Sequence, residues 1–381
     1  MKYELLGDIV DVSKGRKHNP SETPNSDSKR IIGINDLRND ATIVLTDDQN
    51  GVEASEKDVL IAWDGANAGT IGFGKKGFIG STISRLRIKN TEKYNEIFLG
   101  KLLQSKFDYL RSSSTGATIP HINRAALDCI KVPQIELSEQ LRIADVLTRA
   151  EKLIAKRKES IKSLDEFLKS IFLEMFGDPV RNEKNWGKET LRGLSIRFSD
   201  GPFGSNLKTS HYEKNGIRVI RLNNIGINKF MDDDKAFISQ KHFDDVLKKY
   251  ACYPSDVVIG TMGEPNIRAC IIPEYIPMAV NKADCVLCRP NINKALPEYI
   301  AGIMNLPSFL SLASNLFHGQ TRTRVSMGQL ATLEIPVPPI DLQNKFAAIV
   351  EQVEAMKVKY NESLVEMEKL YGGLSQRAFR G

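Results

Sequence analysis

From residue 147 to 175, apolar side chains return at alternating steps of three and four: Leu147, Ala150, Ile154, Ile161, Leu164, Leu168, Ile171 and Met175, with Arg157 as the polar member. That is a heptad seam, and it predicts a long helix that packs lengthwise on another. Gly177-Asp178-Pro179 ends it, as a glycine followed by proline should. A second seam runs through Val350, Val353, Lys357, Tyr360, Leu364, Met367, Tyr371, Leu374 and Ala378. Gly372-Gly373 lies inside that helix at a cost of about 1 kcal/mol per glycine, which predicts fraying or a bend. Ahead of each seam the pattern shortens. Residues 59–63, 84–88 and 257–260 read as strands bounded by Gly, Asp and Pro, and 96–111 and 297–316 read as helical stretches.

The two seams belong to one repeat. Gly116 and Thr118 recur 203 residues later as Gly319 and Thr321. The same gapless offset matches Leu127 with Leu330, Pro133 with Pro336, Gln140 with Gln343, Ala144 with Ala347, Glu151 with Glu354 and Phe176 with Phe379. Upstream the offset drifts: Arg30-Ile31-Ile32 resembles Arg218-Val219-Ile220, and Asp58-Val59-Leu60-Ile61 resembles Asp256-Val257-Val258-Ile259. One unit is used twice, with a variable front and a constrained back. The expected fold class is α+β: two mixed α/β domains separated by two long helices that pair as an antiparallel coiled coil, a pseudo-two-fold internal repeat. The boundaries read 1–139 and 179–342 for the domains, 140–178 and 343–381 for the helices.

Composition narrows the function. The chain of 381 residues is 41% hydrophobic and 26% charged, as in a soluble globular protein. A net charge of +6 is mild and matters only where basic residues cluster. The start has no apolar leader pattern, five cysteines follow no framework spacing, and a cytoplasmic location is expected. Gly72 to Gly77 fits G-x-G-x-x-G, but the residues after it are strand-like, so a glycine-rich hairpin is expected rather than a dinucleotide site. Cys285 and Cys288 form a C-x-x-C on an alternating strand, where they face opposite ways and no second pair completes a zinc site. No nucleophile–base set emerges, and no cofactor is expected.

Polar, basic loops remain. Lys14, Arg16 and Lys17 cluster near the start. In the first unit Thr118, His121, Asn123 and Arg124 come after Gly116; in the second, Gln320, Arg322 and Arg324 come after Gly319. Ser205, Asn206 and Lys208 lie in a turn-rich loop suited to phosphates. Arg221, Asn223 and Asn224 end a strand with the groups that read guanine and adenine edges. Together these are the candidate DNA contacts.

Asp200-Gly201-Pro202-Phe203-Gly204-Ser205, the joint at 133–143 and Phe172-Leu173-Glu174-Met175-Phe176-Gly177-Asp178, together with the repeat, resemble the specificity subunit family of type I restriction–modification systems along the full chain. In the first domain Asp11-Val12-Ser13-Lys14-Gly15 stands where the Asp-Gly-Pro-Phe-Gly loop would be. The resemblance implies a DNA-specificity subunit without catalysis of its own. It also implies double-stranded DNA, two methyltransferase subunits and restriction (motor-nuclease) subunits as partners. The alternatives are the recognition part of a single-chain restriction–methylation enzyme, or a nuclease with an unrecognised active site. If the helices pair antiparallel, two unlike fronts predict a bipartite, asymmetric target with an unread spacer.

Overall fold

A computed structural model describes residues 2–39, 42–116, 119–317, 319 and 323–379. The chain forms two compact units, one of Met1–Glu159 with Glu362–Gly381 and one of Ser160–Asn361. The fold is α+β, with mixed α/β fronts and two long helices. None of the helices among the described residues is long and apolar enough to cross a membrane.

In the first unit the strands Val10–Lys14, Ile83–Ile88, Val59–Ala62 and Ile71–Phe73 form an antiparallel sheet in that order. In the second, Ser195–Ser199, Cys285–Pro290, Val257–Gly260 and Arg268–Ile271 repeat it. The central strand is all apolar because both its faces are covered: Val59, Leu60, Ile61 and Ala62 are buried, as are Val257, Val258 and Ile259. Each central strand is preceded by a buried aspartate that takes a two-pronged arginine from the neighbouring strand. Asp58 accepts from Arg87 at 2.9 and 2.8 Å, and Asp256 from Arg289 at 2.7 Å twice. A second sheet, of four strands in the first unit and five in the second, holds one parallel pair in each, Lys29–Ile32 beside Gly77–Ile79 and Ile217–Ile220 beside Ala279–Asn281.

The glycines at 72–77 do not make the expected hairpin: Ile71–Phe73 pairs within the antiparallel sheet and Gly77–Ile79 within the mixed one. The turn instead passes the chain between sheets, with Gly74 at φ 68° and no room for a Cβ at Gly77, which lies against the Arg30 carbonyl. Cys285 and Cys288 do face opposite ways, each buried in a different apolar cluster.

The long helices are Leu137–Phe176 and Ile340–Phe379. Every residue of both predicted seams is at least partly sheltered. Within each unit the helix segments run antiparallel. The Tyr371 hydroxyl donates to Glu151 at 2.5 Å and Lys158 pairs with Glu368 at 2.8 Å in the first unit. In the second, Lys357 pairs with Asp165 at 2.5 Å and Phe172 packs edge-on against Phe346. Gly372-Gly373 does not break its helix, which continues to Phe379 because Leu374, Ala378 and Phe379 anchor the next turns in the first unit's core.

Gln140 and Gln343, matched in the repeat, do the same work. Both are fully buried. Gln140 accepts from the Asn95 amide at 3.0 Å and donates to the Lys93 and Ile135 carbonyls. Gln343 accepts from the Leu296 amide at 2.9 Å and donates to the carbonyls of Lys294 and Pro338. Phe176 and Phe379 are equivalent as well: Phe379 packs on Phe98, and Phe176 on Tyr299. Each front is thus closed by the far end of the helix that belongs to the other repeat.

Candidate nucleic-acid interface

One end of the four-stranded sheet gathers several of the candidate residues in each unit. In the first unit Lys14 ends its strand, and the chain then passes so close to the neighbouring backbone that only glycine fits. A Cβ on Gly15 would lie 2.3 Å from the Ile79 and Gly80 carbonyl oxygens. Arg16 and Lys17 come next, in solvent. Beyond the central strand lies Asp64, which no sequence pattern marked. It accepts from Lys14 Nζ at 2.7 Å and from His121 Nδ1 at 2.6 Å, joining two candidate segments more than a hundred residues apart. Burial works to raise the Asp64 carboxyl, but the hydrogen bonds from Lys14 and His121 outweigh it and hold the group below the usual carboxylate range. The result is a charged cluster in which Lys14 is still half exposed.

The second unit builds the same backbone node. Val325 donates to the Thr261 carbonyl at 3.1 Å and Arg324 bridges Met262, as Ile122 donates to Trp63 at 2.9 Å and His121 bridges Asp64. Arg324 and His121, 203 residues apart, are therefore structural equivalents. The glycine recurs too: a Cβ on Gly201 would lie 2.2 Å from the Asn281 carbonyl oxygen. The expected placement of the motif is corrected by three residues: Asp11 to Lys14 lie in the strand Val10–Lys14, and the turn that matches Asp200-Gly201 is Lys14-Gly15, which has kept the glycine the backbone needs. The side chains are not kept. Met262 stands where Asp64 does, and Asp200 where Lys14 does. Burial and the nearby Asp284 push the Asp200 carboxyl up to about 6.

Other candidates have structural partners. Asn224 is buried, accepts from the Arg221 amide at 2.9 Å and donates to the Met231 and Asp234 carbonyls at 2.8 Å. Its amide holds the loop and is not presented to a ligand, which corrects the expectation. Asn123 likewise caps the helix Arg124–Asp128 by accepting from the Ala126 amide at 3.2 Å. Arg124 pairs with Asp128 at 2.8 Å. Arg221 pairs with Asp234 and lies over the Tyr212 ring, while Asn223 stays exposed. Ser205 and Lys208 are exposed, and Asn206 is partly so. Thr118, Gln320 and Arg322 lie outside the described residues.

Arg268, missed in the sequence, ties two of these loops together. Its guanidinium donates to the carbonyls of Leu222 at 2.9 Å and Ile225 at 2.6 Å, around Asn223, and to those of Met262 at 2.9 Å and Pro265 at 3.2 Å, beside Arg324. Five fixed N–H donors make arginine suited to such a hub. Only its position at the head of a strand could have flagged it.

Known proteins resemble this chain in sequence and in fold. Residues 1–163 match the family model of the type I restriction modification DNA specificity domain. The chain is 25% identical over 336 residues to the type I restriction enzyme MjaVIII specificity subunit of Methanocaldococcus jannaschii, covering 83% of this chain and 77% of that one. In fold it is similar to the type I restriction–modification S subunit from M. genitalium, at a TM-score of 0.60 and 15% identity, over 100% of this chain and 96% of that one. It is also similar to a chain from a study of complex assembly and conformational transition of the type I R-M system, at a TM-score of 0.61 and 19% identity, over 100% and 97%. With the repeat and the paired helices, these matches make the chain similar over most of its length to DNA specificity subunits of type I restriction–modification systems.

Proposed function

We propose that this chain supplies DNA sequence specificity to a type I restriction–modification complex, each unit reading one half of a bipartite, asymmetric site. The observation that carries the reading is the sheet-end node built twice on one backbone plan with unlike side chains: Lys14, Asp64 and His121 in one unit, Asp200, Met262 and Arg324 in the other. A shared frame with exchanged chemistry is what two readers of different sequences need. Each helix has 40 residues, about 60 Å at 1.5 Å per residue, a length greater than one turn of DNA. In this reading the helices set the spacer and dock two methyltransferase subunits, restriction subunits join through the complex, and the chain performs no chemistry itself.

The test is to map methylated sites in cells that express this chain with its methyltransferase partner, before and after residues 1–135 are exchanged for those of a relative. One half of the methylated site should change and the other should stay. A change in both halves, or in neither, removes the two-reader assignment.

A further inference from the structure

We propose that Phe203 is an apolar DNA contact of the second unit, standing where the first unit places the cationic Lys17, so that the two readers grip DNA by different physics. The proposal rests on the DNA-reading function above.

The equivalence comes from strand register. Val12 pairs with Leu86, which pairs with Val59 at the head of the central strand; Phe198 pairs with Cys288, which pairs with Val257. Three residues further on, Gly15 and Gly201 each press against neighbouring carbonyl oxygens. Two more residues reach Lys17 and Phe203. Both are exposed, the phenylalanine at 61%.

A lone exposed phenylalanine needs no explanation, but this one stands on a loop held from several sides. Pro202 before it is buried with its φ fixed by the ring, and Gly204 after it takes φ 61°, which a side chain would resist. Leu207 plugs into an apolar cluster. His242 Nε2 donates to the Asn206 carbonyl at 2.8 Å, and the Lys208 amide donates to His211 Nδ1 at 3.2 Å. These bonds fix both rings chemically: Nε2 of His242 carries a proton and Nδ1 of His211 does not. The rings themselves touch, with centroids 4.2 Å apart. So many supports leave the largest group of the loop in water, between a glycine-pinned turn and the donors Ser205 and Lys208. An aromatic ring beside donors suited to phosphates suits the apolar surface of bases, a thymine methyl or an opened base step.

Salt separates the two kinds of contact, because each neutralised phosphate releases counterions and an apolar contact releases none. The full chain, assembled with its methyltransferase partner, is titrated with a duplex carrying the mapped methylation site between about 50 and 200 mM salt. Phe203→Ala should weaken binding about tenfold at every salt concentration and leave the slope of log affinity on log salt unchanged. Phe203→Leu should restore most of the loss. Lys17→Ala should flatten the slope by about 0.9. Parental affinity in Phe203→Ala, or a flattened slope, overturns the proposal. So does a failure of Phe203→Ala to assemble with its partner, which would assign the ring to a protein contact. Failure of the parent to bind its mapped duplex would instead remove the DNA-reading function beneath it.

Discussion

The joints between front and helices follow one plan in both units yet are filled differently. In the first unit Lys101, only 2% exposed, pairs with Glu151, which also accepts from Tyr371 at 2.5 Å, while the Lys101 ammonium lies 5.2 Å from the Phe73 ring centre. In the second, Phe172, Phe176, Tyr299 and Phe346 pack as an aromatic cluster with ring centres 4.8 to 5.5 Å apart. The glutamine clamps are the same. Hydrogen bonds from the two glutamine side chains to the backbone therefore define the joint, and the side chains around them are free to solve the packing with either charge or rings.

The largest expected break in that comparison is Phe172→Ala. It opens a cavity under three other rings and should destabilise the second unit by about 3–5 kcal/mol. Hydrogen exchange monitored through both units should show faster opening in the second and little change in the first; equal loss in both would mean the joints are not separate.

Next in size is Glu151→Leu, which leaves the Lys101 ammonium buried without its carboxylate and should cost about 3 kcal/mol. Adding Lys101→Met should recover most of it, since an apolar pair fills such a site well. Denaturant unfolding of the single and double variants decides this. If the double variant is no better than Glu151→Leu, the joint depends on the ion pair itself.

The smallest effect is at the reading ends. Burial and Asp284 raise the Asp200 carboxyl to about 6, so the folded chain keeps that proton after the unfolded chain has lost it. Stability is thus unaffected at low pH, falls as pH rises from about 4 to 6, and stays lower above that. Asp200→Asn should stabilise the second unit by about 1 kcal/mol at neutral pH, allowing for solvent screening, and by nothing at pH about 4. A gain of equal size at both would trace to packing rather than charge.

The helices were legible because the seam is a long, regular pattern that survives any choice of partner: even Lys357, a charged seam residue, is sheltered through its pairs with Asp165 and Glu354. The 203-residue offset also marks Gln140, Gln343, Phe176 and Phe379, the residues that close the joints. Loop chemistry was less legible. Asn224 reads as a base-contacting amide, yet a short loop's unpaired carbonyls claim it. Arg268 looks like an ordinary strand residue, and only the folded backbone shows four carbonyls converging on it. The fronts drift in offset because the loops between equivalent strands differ in length. The offset that matches Asp58-Val59-Leu60-Ile61 with Asp256-Val257-Val258-Ile259 also aligns Asp64 with Met262, but the two side chains are unlike and nothing marked the pair.

That each front is closed by the other repeat's helix end bears on how the chain is made. The first unit's core includes Phe379, Tyr371 and Leu374, which the ribosome adds some 200 residues after the front they complete. At about 5–20 residues per second the nascent first unit waits roughly 10–40 s with that groove uncovered. Its early stability must come from its own sheets and the first half of its helix. The second unit is built from one uninterrupted stretch and has no such delay. In synthesis order, the unit begun first is the one finished last.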